Sequence, residues 1–360
     1  MSHTTSPPEQ PGMHVSRPLA TTAIALTIAA LSAPASAQAA PGDEYVALGD
    51  SYSSGTGTRQ YLDDGTSCLR STLAYPSLTA AAGGLDLDLR ACSGATTADV
   101  TATQLAALST STDRVSISVG GNDAGFAHVL TECAMPGWAS DCNGAIDNAE
   151  TFIDGTLPGR LGTLYGSIRS KAPNAGVVVV GYPRVFMGED CNALTWFSPE
   201  EQTRLNATAD LLNSRLRSAA QSAGFTFVNP TSAFTGHAVC DDPEWLNGLS
   251  DPIVESYHPN VAGHRDGYTP LVSSSISGSA VAVTQEVERR AEAGGDAQAT
   301  RQRARADLDS TIKPKTVRLP DLDSPRVRRA AARAGVDLES PASITAADRV
   351  WSARQAAEHR

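Results

Sequence analysis

Positive charge is the first thing this chain has little of. Its 360 residues carry 28 Lys and Arg against 39 Asp and Glu, a formal charge of −11. A general nucleic-acid binder needs a basic face, so that class is excluded. No two cysteines stand as C-x-x-C, which removes the close ligand spacing of a structural zinc site. No apolar run reaches the roughly 20 residues of a membrane-spanning helix. Aromatic residues are sparse at 5%, yet the hydrophobic fraction of 41% suffices for a real core. The length fits one large or two ordinary domains.

What is present begins with a leader. Arg17 precedes an apolar run over 19–31, and Ala35-Ser36-Ala37 follows. A basic start, a short apolar segment and an A-x-A site make up a secretory signal. Residues 1–37 are therefore expected to be removed, with cleavage after Ala37 or two residues later after Ala39. The twelve residues before Met13 add no positive charge, so Met13 is an alternative start to Met1. Export makes the protein secreted and places its six cysteines in an oxidising compartment. All six (Cys68, Cys92, Cys133, Cys142, Cys191 and Cys240) lie beyond the leader. An even set there is expected to pair, which leaves no free thiol nucleophile. Of the 15 possible pairings, the simplest is sequential: Cys68–Cys92, Cys133–Cys142 and Cys191–Cys240.

The body, residues 43–280, alternates strand-like and helix-like segments. Strands are predicted over 45–48, 85–91, 115–119, 177–180 and 225–228. The run 85–91, "LDLDLRA", alternates like an outer strand. The run "VVVV" at 177–180 reads as buried on both faces. Helices are predicted over 96–108, around 157–170, and over 198–222. The last opens on Ser198-Pro199-Glu200-Glu201, a cap with proline in the first turn. Such alternation implies a mostly parallel sheet with helices on both faces. Residues 281–360 differ. They hold 15 Lys and Arg against 12 Asp and Glu, net +3 where the rest of the chain is −14. They are poor in bulky apolar residues. This composition predicts a solvated, partly helical or disordered extension, with weak contact to an anionic envelope surface as its one sharper role.

The early strands share a feature: each ends in a cluster of small residues. The first ends at Gly49-Asp50-Ser51, the second at Cys92-Ser93-Gly94-Ala95, the third at Gly120-Gly121-Asn122-Asp123. The carboxyl ends of parallel strands line the ligand crevice of an α/β fold. Ser51, the Gly94 amide and the Asn122 side chain are therefore expected to converge. A serine hydroxyl there needs a base. Acyl transfer also needs donors where the carbonyl oxygen gains charge. Of the seven histidines, His258 in "ESYHPNVAGH" is best placed, entering the last helix of the body at the crevice edge. His128 and His264 read as helical packing, and His237 sits near Cys240 without other support.

These blocks, "GDSYSSG", "SGAT", "GGND" and "ESYHPN", occur in the order and at the spacings of the SGNH (GDSL) hydrolases. Over about residues 43–275 the chain resembles the secreted actinobacterial lipase and phospholipase group of that family. The resemblance implies a flavodoxin-like three-layer sandwich and an ester hydrolase without metal or cofactor. It implies Ser51 as nucleophile, His258 as base, and the Ser51 N–H, Gly94 N–H and Asn122 as oxyanion hole. The three sequential disulfides also match that subgroup. One position departs. Many members carry Asp three residues before the histidine, and here Glu255 stands there. The resemblance offers a substitute for it, the main-chain carbonyl of Ser256, which we prefer; Glu255 is then expected to be a solvated residue on the crevice rim. Asp50 is expected to point away from the nucleophile and support its turn. There is no G-x-S-x-G elbow around Ser51, which disfavours the ordinary α/β-hydrolase fold. The expected substrate is a lipid or other acyl ester, handled by a monomer. Phospholipase A and carbohydrate deacetylase activity are the alternatives within the fold. A catalytically silent envelope-binding protein is the alternative of another class.

Overall fold

In the computed structural model, the described residues are 1, 3–9, 12 and 39–358. Nearly all of the expected leader lies outside them. The chain divides into two compact units, Met1–Ala37 and Gln38–Arg360, and the second carries the fold.

Five parallel strands form one sheet: β1 (Glu44–Gly49), β2 (Asp86–Leu89), β3 (Arg114–Ser118), β4 (Gly176–Val180) and β5 (Thr226–Val228), in the order β2-β1-β3-β4-β5. This is the flavodoxin-like order expected from the sequence. β4, "GVVVV", is buried on both faces, where stiff β-branched side chains fit a covered pleat.

The crossovers explain the layers. The step from β1 to β2 runs one way along the sheet and the later steps run the other. Right-handed connections therefore put the first crossover helix on one face and the rest on the opposite face. On the first face α2 (Tyr75–Gly83) packs with α8 (Thr269–Ser277). On the other face lie α6 (Leu157–Lys171) and α7 (Pro199–Ser222), with α5 (Cys142–Gly155) outside α7. Ser198 and Glu201 close a reciprocal capping box at the start of α7. The predicted 96–108 helix is broken into a short α-turn α3 (Thr97–Asp99), a π-turn (Val100–Gln104) and a 3₁₀ turn (Leu105–Ala107). Two further elements complete the site region: α1 (Ser51–Ser54) and α4 (Phe126–Cys133). Disulfides join Cys68–Cys92, Cys133–Cys142 and Cys191–Cys240.

The extension does not form a solvated tail. Residues after 280 fold into α9 (Gln285–Ala293), α10 (Gly295–Arg303), α11 (Ala306–Asp309), α12 (Pro325–Ala334) and α13 (Pro341–Glu358). They belong to the same compact unit as the body. α10 lies along the edge strand β2. The Gln298 side-chain amide and the Arg301 guanidinium donate to the Leu87 carbonyl, while Gln302 and Arg305 bind the Asp88 carboxylate at 2.7 and 2.5 Å. Asp309 reaches further in. It pairs with Arg70 at 2.6 Å and Arg90 at 2.9 Å, and all three side chains are almost fully buried. The composition of the extension predicted solvation because its apolar residues are few. Its attachment rests on buried charge, which composition does not reveal, together with a few buried apolar side chains such as Ile312, Val317 and Val327.

Candidate active site

Strand order reverses between β1 and β3, and a ligand crevice opens at such a switch point outside the carboxyl ends of the strands. Ser51 follows β1, and Asn122 follows β3 by four residues. The turn into Ser51 is tight. Gly49 has φ +119°, and a Cβ there would strike the Ser118 backbone, so only glycine fits between the two strands. Asp50 then caps α1: its Oδ1 accepts the Tyr52 N–H at 3.0 Å, and its Oδ2 accepts the Tyr182 hydroxyl at 2.6 Å. Burial pushes the Asp50 carboxyl up to about 7, against these two hydrogen bonds. Its side chain thus holds the turn, as the sequence suggested.

His258 reaches the serine from the far end of the chain. Its Nε2 lies 2.9 Å from Ser51 Oγ, and its Nδ1 lies 2.9 Å from the Ser256 carbonyl oxygen. A carbonyl can only accept, so Nδ1 carries the proton and Nε2 is the acceptor facing the hydroxyl. Burial lowers the His258 pKa to about 4, opposed by the Ser256 hydrogen bond, so the ring is neutral near pH 7.

Glu255 makes no hydrogen bond to the imidazole, and it is not a solvated rim residue either. It is 1% exposed. Its Oε1 accepts the Tyr61 hydroxyl at 2.6 Å, and Arg59 Nε stands 3.2 Å from Oε2. The carboxylate is turned toward the loop that follows α1, because those two groups supply its charge and hydrogen-bond partners there. The backbone around it is bent to suit. Tyr257 has φ +61°, a conformation rare outside glycine, and its carbonyl accepts the Tyr52 hydroxyl at 2.9 Å. That turn swings the Ser256 carbonyl under the ring of His258.

The donors complete the arrangement. Among the described residues, no protein acceptor takes the backbone N–H of Ser51 or of Gly94. Asn122 is fixed by one N–H to the Ala95 carbonyl at 3.1 Å. The neighbouring Asp123 holds the Gly94 loop in place: its carboxylate accepts the Thr97 N–H at 2.9 Å and the Thr97 hydroxyl at 2.6 Å. Ser51, Asn122 and His258 line one end of a pocket whose depth is apolar, walled by Val129, Leu130, Ile153, Leu205 and Leu212. Lys315, from the extension, lines the same pocket. Among the described residues, no other histidine lines this pocket. His264 is fully buried and its Nδ1 accepts the Tyr75 N–H. His237 stacks on Trp245 with ring centroids 3.7 Å apart. His128 lies on α4.

Sequence reasoning missed Tyr182, Tyr61, Arg59 and Lys315. The first three are ordinary loop residues until the fold brings them beside a carboxylate, and no local spacing marks them. Lys315 lies in the region read as solvated.

Known lipases are similar to this chain in sequence and fold. Lipase 1 of Streptomyces coelicolor is 47% identical over 225 residues, 62% of this chain and 82% of the relative. The crystal structure of an extracellular lipase from Streptomyces rimosus matches with TM-score 0.62 at 42% identity, over 65% of this chain and all of that one. That of phospholipase A1 from Streptomyces albidoflavus NA297 matches with TM-score 0.62 at 44% identity, over 66% of this chain and all of that one. A sequence model described as the GDSL-like Lipase/Acylhydrolase family matches residues 47–265, more than half of the chain, and to that family of ester hydrolases the protein belongs.

Proposed function

We propose that the protein is an exported serine hydrolase that cleaves acyl esters of lipids through an acyl-enzyme on Ser51. The observation that carries this is the relay Ser51 Oγ, His258, Ser256 carbonyl, with 2.9 Å at each step, at the end of an apolar pocket. His258 Nε2 takes the hydroxyl proton as Oγ bonds to the ester carbon. The oxygen that gains charge is held by the Ser51 and Gly94 N–H groups and by Asn122. The proton on Nε2 then passes to the leaving alcohol oxygen as the carbon–oxygen bond breaks. Water repeats the sequence on the acyl-enzyme, and Ser51 recovers its proton through His258.

The apolar lining of the pocket, which includes Val129, Leu130, Ile153, Leu205 and Leu212, favours acyl groups longer than acetate, which sets the lipid reading above a carbohydrate deacetylase. Phospholipids stand as a second reading, supported by the Streptomyces albidoflavus phospholipase A1 at 44% identity and by a cation, Lys315, at the pocket. Backbone donors that no protein acceptor takes, beside a serine–histidine pair, argue against a silent binding protein. Secretion is supported by the leader and by the extracellular relative. A monomer suffices, since one chain supplies every group.

Hydrolysis of p-nitrophenyl butyrate by the exported protein tests the reading. Ser51→Ala is expected to remove nearly all of it while leaving the circular dichroism spectrum unchanged, and a fluorophosphonate is expected to label Ser51. Full activity in Ser51→Ala, or labelling of Ser53 instead, would refute the assignment.

A further inference from the structure

Part of the extension, read from its composition as solvated, runs beside the Gly94 loop and the Ser51 pocket. Immediately after the buried Asp309 anchor, residues 312–317 run without regular structure. Two of their side chains, Ile312 and Val317, are buried in the main core, while Lys313 and Lys315 between them are exposed. The path is fixed at both ends. At the first, Ser67 Oγ donates to the Ile312 carbonyl at 3.1 Å, beside the Cys68–Cys92 disulfide that leads into the Gly94 loop. At the second, the Arg318 N–H donates to Thr131 Oγ1 at 3.0 Å, on α4, the helix whose Val129 and Leu130 wall the pocket. The segment thus spans from the oxyanion loop to the pocket wall. It passes so close to Gly94, where φ is +89°, that a Cβ there would collide with the Lys313 carbonyl. Midway, Lys315 lines the pocket with Ser51 and His258.

We propose that residues 312–317 are a strap across the mouth of the Ser51 pocket, one that admits slender esters and restrains esters bulky on both sides of the scissile bond. This rests on the ester-hydrolase reading of the site. The physical reason is steric. A thin ester threads beneath a fixed strand of backbone, whereas a diacyl lipid needs that backbone to lift. Lifting requires Ile312 or Val317 to leave the core, and that cost falls on the bulky substrate alone. The strap also lies beyond the matched family region, which ends at residue 265.

Two perturbations of the full chain relax the strap. Val317→Asp unseats the second anchor. A site-specific protease sequence inserted between the exposed residues Lys315 and Thr316, cut after folding, severs the strap between its two anchors and leaves Ile312 and Val317 seated. The readout is the ratio of kcat/KM for monomeric dioctanoylphosphatidylcholine to that for p-nitrophenyl acetate. In both cases the ratio is expected to rise about fivefold or more, since a tenfold change needs only about 1.4 kcal/mol of barrier. The cut protein keeps the result independent of whether Val317→Asp folds. A ratio that stays constant or falls after the cut overturns the strap. Hydrolysis of p-nitrophenyl acetate by the uncut wild type reports on the serine site alone. A protein that turns over this ester with an unchanged ratio loses the strap and keeps the hydrolase reading. A protein that does not turn it over loses both.

Discussion

A buried imidazole resists protonation, and His258 is 7% exposed. Its pKa is lowered to about 4, against about 6.5 for a free side chain. The base works only when neutral, so it is active above its pKa and lost as pH falls through it. The acid limb of kcat/KM on p-nitrophenyl butyrate is therefore expected near pH 4. A limb at 6.5 in the measured profile would show that the ring is solvated in the free enzyme. At this scale the sequence was informative about residues that do chemistry. Ser51, Gly94, Asn122 and His258 stand in short blocks whose spacing reflects strand ends, and the structure brings Ser51, Asn122 and His258 to one pocket. The groups that hold them were not legible. Tyr182 lies 132 positions from Asp50, and Tyr61 lies 194 from Glu255. Contacts of that separation follow from the fold and leave no periodic trace.

Elements show the same division. All five strands were legible, because β-branched or alternating runs bounded by glycine carry their own signal. α7 was legible from its cap. α4 was anticipated only through His128, read as helical packing, and α5 was not anticipated: "FAHVLTEC" and "CNGAIDNAETFIDG" mix small, polar and apolar residues, and α5 packs on both α4 and α7. The turn 253–258 is the element that decides the third catalytic role. It opens with a 3₁₀ turn (Ile253–Glu255) and passes through the positive φ of Tyr257. Asn247 Nδ2 ties it to the Gly57 carbonyl at 3.0 Å, and Glu255 ties it to Tyr61. Glu255→Gln keeps an acceptor for Tyr61 and leaves the Ser256 carbonyl untouched. Turnover of this variant is expected to fall by about tenfold or less, far short of the roughly 10⁴-fold seen when a triad carboxylate is neutralised. Steady-state kinetics decide between them, and a loss beyond a thousandfold with the fold intact would restore Glu255 to the triad.

At the scale of the whole chain, the extension and the body lie in one compact unit, Gln38–Arg360. The sequence boundary near 280 therefore marks a change of composition without marking a change of domain. Asp309 is where this can be tested. It is the shared partner of Arg70 and Arg90, both buried, and burial alone already lowers the Arg90 pKa. Asp309→Asn removes the ion-pair partner of Arg90, while Arg70 keeps Asp64 at 2.7 Å. Breaking such a pair costs about 3–5 kcal/mol, and guanidinium chloride unfolding monitored by tryptophan fluorescence is the measurement. A loss below about 1 kcal/mol, the range of a surface pair, would return the extension to the periphery. The cover that α10 lays on β2 has one more consequence. An open sheet offers its outermost N–H and C=O groups to any passing strand, and stacking of copies edge to edge begins there. Here the Leu87 carbonyl and the Leu89 N–H already face Gln298 and Arg301. The opposite border, β5, is three residues long. One border is covered and the other is short, so neither edge of the sheet offers a long bare template to a further strand.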